Sequence, residues 1–282
     1  MFDSRTLPGY HTFVDHLDSD TSSEAGKGQD LTPLIQAWNF NPDSNVRKIK
    51  GADGVQKVQV RVDQGAFQGI LQLSLDGRPD GKKPHGHDFA LDYYRALLEG
   101  HKRENPNDTD GFSLDSDACQ ELFEEGARVY GRYAFLLQIK DYDRVVRDTE
   151  RNMELFGFVN TYGEGEEDRL NLEKWWPYIL RINATARSML AQHRGDFDDA
   201  LEVVEEAREQ IDDLPEVDAE EFFVERKRSH EALDELEESV RSKRPPSRAE
   251  KLEQELQEAV DEEEFERAAS IRDELNELRN TA

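Results

Sequence analysis

The spacing of apolar residues changes once along this chain, and the change limits the folds open to it. Between Val46 and Leu75 apolar and polar positions alternate: Val58, Val60 and Val62 around Gln59 and Arg61, then Leu71, Leu73 and Leu75 around Gln72 and Ser74. A period of two belongs to a strand with one face buried. Ala52-Asp53-Gly54 and Asp63-Gln64-Gly65 are turn-forming, so the spacing predicts a three-stranded meander that begins with Val46–Lys50. After a polar loop, Glu104 to Asp110, the apolar period is helical to the end of the chain. One small antiparallel sheet followed by helices places the chain in the α+β class, mainly helical.

A small sheet has to cover its apolar face. The segment Asp88 to Arg103, with Phe89, Leu91, Tyr93, Tyr94, Leu97 and Leu98 at helical spacing, is the expected covering helix, with Asp88 as its cap. The other sheet face, with Gln59, Arg61, Gln72 and Ser74, fits plain solvent exposure as well as a ligand. Asp18 to Gly28 is too polar and too small in its side chains to bury a core, so residues 1–30 are expected to form a disordered leader. The divisions that follow are a sheet-plus-helix domain over 31–104, a helical domain over 111–242, a linker over 243–247 and a helical hairpin over 248–282. The linker, with Pro245 and Pro246, is expected to be stiff and exposed.

Within the helical domain, the joints Ile139-Lys140-Asp141-Tyr142 and Arg194-Gly195-Asp196-Phe197 share a pattern. In each, an acidic residue is placed to cap a second helix whose first aromatic packs back on the preceding one. The second joint, with Gly195, Phe197, Ala200 and Ala207, resembles a tetratricopeptide repeat. The first is weaker, with Val145 where that repeat prefers alanine, and the joints are too far apart for a regular array. Between them Gly157, Gly163 and Gly165 are expected to form a loop before a helix restarts at Leu172 to Trp176. Adjacent Trp175 and Trp176 cannot face the same way on a helix, which leaves a peptide groove or packing between helical units as readings. A long charged helix is expected from Asp218 to Ser242, with Phe222, Phe223, Leu233, Leu236 and Val240 as its buried stripe, spanning the gap to the terminal hairpin.

That hairpin has the most specific pattern in the chain. Leu252, Leu256, Ala259 and Val260 line one helix. Phe265, Ala268, Ala269, Ile271, Leu275 and Leu278 line another, and Asp261-Glu262-Glu263-Glu264 lies between, where negative charge suits a helix start. Together with Glu264-Phe265-Glu266 and Ile271-Arg272-Asp273, these residues resemble the UVR motif, the short hairpin shared by the B and C subunits of bacterial excision nuclease. The resemblance implies protein docking, through pairing with another such hairpin or through Clp-type protease machinery. The loop Gly77-Arg78-Pro79-Asp80-Gly81 is similar to one in bacterial proteins that end in the same motif. On its own a segment of this size is below what one core stabilises, which also points to a partner surface. The expected partner-binding residues are Leu252, Leu256, Phe265, Ala268, Ala269, Ile271, Arg272 and Leu275. Arg272 lies beside the seam, placed to meet a carboxylate of the partner or Glu255 or Glu258 of its own hairpin.

Charge narrows the function classes. The chain has 63 acidic against 36 basic residues, a formal charge of −27, so direct binding of a nucleic-acid backbone is not expected. Acidic residues spread along the whole length, with arginine in excess of lysine, suit a protein kept soluble in concentrated salt, a halophilic source; an ordinary acidic protein is the alternative. The single cysteine, Cys119, sits among Asp115, Asp117, Glu121 and Glu124, where a thiolate is disfavoured. His85-Gly86-His87-Asp88 lacks a third ligand beyond His101 or His11, so no metal is expected. No phosphate-cradling loop, dinucleotide fingerprint or nucleophile elbow is present. No cofactor, membrane span or catalytic residue is expected, and a cytoplasmic location follows from the missing apolar leader. The expectation is a non-enzymatic adaptor. Its rivals are an accessory of nucleotide-excision repair and a structural homodimer paired through the hairpin.

Overall fold

The computed structural model describes residues 30–106, 111–246 and 248–281. The expected disordered leader, His11 and the second half of the 104–110 loop therefore lie outside the described residues. The chain divides into two compact units, residues 1–45 with 60–71, and residues 46–59 with 72–282. The class is α+β and mainly helical, with one three-stranded antiparallel sheet in the order β1-β2-β3. Its strands are β1 (Val46–Lys50), β2 (Gln56–Gln64) and β3 (Phe67–Ser74). Gly54 and Gly65 take the left-handed backbone that both turns require, with φ of 77° and 59°.

In the smaller unit a short helix, α1 (Thr32–Ala37), precedes β1. Arg61 is its anchor. The side chain is 2% exposed; its guanidinium donates to the carbonyls of Trp38 and Gly69, each at 3.3 Å, and to that of Val62. In the larger unit Gln59 is also buried, accepting from Arg47 at 2.8 and 3.0 Å and donating to Gln72 at 2.8 Å. Of the polar face left open between solvent and a ligand, Gln59 and Arg61 are in fact inside, and their polar atoms are paired because burial without partners is costly.

The rest of the larger unit is helical. The helices are α2 (Ala90–Glu104), α3 (Ser116–Gln138), α4 (Tyr142–Tyr162), α5 (Glu166–Glu173), α6 (Trp176–Arg194), α7 (Phe197–Asp212), α8 (Glu220–Lys243), α9 (Arg248–Asp261) and α10 (Phe265–Thr281). One core joins Leu91 and Leu98 of α2 to Leu122, Leu155, Leu172 and Ile179 from α3 to α6. The expected covering helix therefore forms, but its buried residues belong to the helical core. Asp88 is not its cap. Glu125 of α3, buried at 1%, accepts from the backbone N–H groups of Ala90 at 2.7 Å and Leu91 at 3.1 Å. Asp88 turns outward to Lys83 at 2.8 Å. A carboxylate facing two first-turn N–H groups satisfies donors that the helix itself leaves unpaired.

Both expected joints are present. At the second, Asp196 caps α7 by accepting from the N–H of Asp199 at 3.1 Å. At the first, Asp141 makes no such cap and instead pairs with Lys48 at 3.0 Å and Arg144 at 3.1 Å. Gly157 is not in a loop, because α4 runs on to Tyr162. Trp175 and Trp176 are both partly buried against the core, and Trp176 meets Phe156 edge-on at 5.6 Å. Packing therefore prevails over the groove reading. α8 does not span a gap. It lies along α6 and α7, with Leu233 in their shared core and Val240 beside Ala191 and Ala200. Of its expected stripe Phe223 is 48% exposed, and Ser229 occupies the buried position, its hydroxyl donating to the Pro177 carbonyl at 2.9 Å.

Candidate docking hairpin

The sequence of α9 and α10 puts one apolar residue per turn on facing sides, so the two helices close on each other. Leu252, Ala259, Ala268, Ile271 and Leu275 are all buried in this seam, with Ala249, Leu256 and Leu278 at its margins. The turn is built by backbone. Glu262 donates to the carbonyl of Glu258 at 2.9 Å, Glu263 to Val260 at 3.1 Å and Glu264 to Ala259 at 2.8 Å. Glu263 takes the left-handed conformation, φ 58°, that ends a helix in this way. At the open end Arg248 of α9 pairs with Glu274 of α10. Arg244, just after α8, bridges Asp198 at 3.3 Å and Glu250 of α9 at 3.4 Å.

This geometry sorts the expected partner-binding residues into two sets. Leu252, Leu256, Ala268, Ile271 and Leu275 line the hairpin's own seam, where each helix is the other's first partner. Phe265, Ala269 and Arg272 point outward. Phe265, the first residue of α10, is 69% exposed, and Val260, near the end of α9, is 46% exposed. Arg272 meets neither Glu255 nor Glu258; its described ion pair is with the adjacent Asp273, at 3.5 Å between two well-exposed side chains. Phe265 and Val260, at the turn end of the hairpin with Glu262, Glu264 and Glu266 close in sequence, are exposed apolar residues that the sequence pattern did not separate from the seam.

The other candidates are accounted for by the fold. His85 stacks on Tyr93 at 4.0 Å and its Nε2 lies 3.0 Å from Glu121. Among the described residues no His, Cys, Asp and Glu cluster fits a metal. Cys119 is 3% exposed, and burial, with Asp168 and Asp115 nearby, pushes its thiol up to about 11. No helix among the described residues is long and apolar enough to cross a membrane. Sequence reasoning missed Glu125, Arg132 and Asp148, buried charges in the helical body. The signal was available for two of them, since Glu125 and Arg132 fall in register with Leu122, Val129 and Leu136 on the apolar face of α3.

Residues 247–281 match the UvrB/uvrC motif. The match covers hairpin α9–α10 and does not reach the helical joints, where the tetratricopeptide likeness stays a likeness of sequence. Neither the curated proteins nor the solved structures compared with the chain include a match.

Proposed function

We propose that this chain is a non-enzymatic adaptor that docks a partner protein through the turn end of hairpin α9–α10. The observation that carries the reading is Phe265, a phenyl ring 69% exposed on a hairpin whose seam is already filled. Burying such a side chain is worth about 1.5–3 kcal/mol, and aromatic rings of this kind anchor interfaces. The UvrB/uvrC motif supports the same class of role, protein interaction. By its likeness the partner is a protein that bears a UVR hairpin or a Clp-type unfoldase complex. Exposure of Phe265 and Val260 at the turn end of every copy favours a homodimer as the second reading.

The test is affinity capture from the native host with the intact chain beside Phe265→Asp, accompanied by sedimentation of both. Loss of a captured protein by the variant, at unchanged melting temperature, supports docking through the turn end. Repair-nuclease subunits in that set make the chain a repair accessory, and chaperone or protease subunits make it a protease adaptor. A dimer that becomes a monomer makes the partner a second copy. Equal capture and equal sedimentation by the two forms would sink the proposal.

A further inference from the structure

In a chain with a net charge of −27, one stretch has the opposite sign. Residues 46–59 and 72–88 of the larger unit hold seven basic side chains (Arg47, Lys48, Lys50, Lys57, Arg78, Lys82, Lys83) and four acidic ones (Asp53, Asp76, Asp80, Asp88), a surplus of three positive charges. The turn before β2, the end of β3 and the loop Asp76–Lys83 enclose a pocket of about 430 Å³, into whose wall Lys57, Arg78, Lys82 and Lys83 all enter.

Arg78 is the unusual residue. It is 9% exposed, and its Nε is buried without a hydrogen-bond partner. Asp80 lies 3.1 Å from that nitrogen but off the N–H direction, and Glu125 is 3.8 Å from Nη1. A guanidinium offers five donors in a planar fork, and buried donors are normally satisfied, so an unbonded one needs an explanation. Each carboxylate in the wall is paired: Asp53 with Lys57 at 2.6 Å and Asp88 with Lys83 at 2.8 Å, which neutralises those two lysines, Asp76 with Arg147 at 2.8 Å, and Asp80 with Arg78 at 3.1 Å and Arg128 at 3.6 Å, so that Asp76 and Asp80 also draw on cations outside the wall. Lys82 makes no ion pair among the described residues and stands exposed at the rim.

We propose that this pocket binds a phosphate-type oxyanion, with Arg78 as the bidentate fork and Lys82 as the second cation. A planar guanidinium matches the spacing of two phosphate oxygens, and a flexible ammonium closes on a third. Gly77 and Gly81, with φ of 65° and 71°, give the loop the curvature that places Arg78 and Lys82 on one side.

Inorganic phosphate is titrated into the full chain at constant ionic strength, with the melting temperature and heat of binding as readouts and sulfate as the comparison ion. Arg78 belongs to the fold as well as the pocket, so Lys82→Glu is the deciding variant. The expected result is saturable binding by the natural chain and affinity lowered at least ~10-fold in Lys82→Glu, whose melting temperature without phosphate is unchanged. Competition by adenosine monophosphate or by an oligothymidylate identifies a nucleotide or a phosphodiester backbone as the source of the oxyanion, and competition by neither leaves the free ion. No saturation by phosphate, or equal affinity in Lys82→Glu, overturns the proposal.

Discussion

Arg132 and Asp148 form a bidentate ion pair between α3 and α4, with Nε and Nη2 at 2.7 and 2.8 Å from the two carboxylate oxygens and both side chains 1% exposed. Nη1 of the same guanidinium donates to the carbonyls of Ser74 at 3.0 Å and Gly77 at 2.6 Å. Arg147 joins from the other side, reaching Asp148 at 3.0 Å and the Leu75 carbonyl at 2.7 Å. The loop after β3 is thereby fastened to two helices by charge-assisted bonds in a dry environment.

Removing one member of that pair leaves the other charged and buried. Asp148→Ala is expected to destabilise the protein by about 3–5 kcal/mol, read as a lowered urea midpoint. A loss below about 1 kcal/mol would mean that the pair behaves like a surface ion pair and does not hold the loop.

Glu125 supplies a pH dependence whose sign is fixed by its surroundings. Burial pushes its carboxyl above the ordinary value, against the opposing pull of the Ala90 and Leu91 N–H groups and Arg78. A raised folded-state value means that this group's contribution is fully present below the unfolded glutamate value near ~4.3 and is lost as pH rises through the folded one. The stability of the natural chain relative to Glu125→Gln is therefore expected to fall between pH 4 and 7 in urea unfolding. A difference that stayed constant or grew with pH would contradict this reading.

Three helix joints share one backbone closure. Lys140, Gly195 and Glu263 are left-handed, at φ 59°, 79° and 58°. In each, the left-handed residue donates to the carbonyl three back, and the following residue to the carbonyl five before itself. Only the middle joint has the residue suited to that conformation. Gly195→Ala is expected to cost about 1–2 kcal/mol, whereas Lys140→Gly gains up to about 1 kcal/mol. Thermal unfolding of both variants checks the pair; stabilisation by Gly195→Ala would refute the account.

Cys119 is closed to reagents both by burial and by the raised proton affinity of its thiol. Iodoacetamide at pH 8 is expected to leave the folded chain unlabelled and to modify it fully in denaturant, as mass spectrometry would report. Rapid labelling of the native protein would show that the α3 start opens readily.

What the sequence determined by itself is whatever depends on residues close along the chain. Alternation over Val58–Val62 and Leu71–Leu75 is enough to specify strands, and apolar residues every three or four places specify α3, α4, α6, α7 and α8, because the period follows from backbone geometry alone. The terminal hairpin was legible for the same reason: both of its stripes and its acidic turn lie within one short segment. Tertiary structure decided everything that needs a distant partner. Phe222 and Phe223 are neighbours of identical chemistry, and only the packing of α8 on α6 and α7 makes one 1% and the other 48% exposed. Glu125 caps a helix that starts 35 residues before it, and Arg132, in register with the apolar face of α3, shows its partner Asp148 only when α4 packs against it. The same holds for Phe265, whose place in the apolar pattern of α10 is settled by where α9 lies, outside the seam that Ala268 and Ile271 fill. Local periodicity says which residues are apolar on a helix, and the approach of a second element chooses which of them water still reaches.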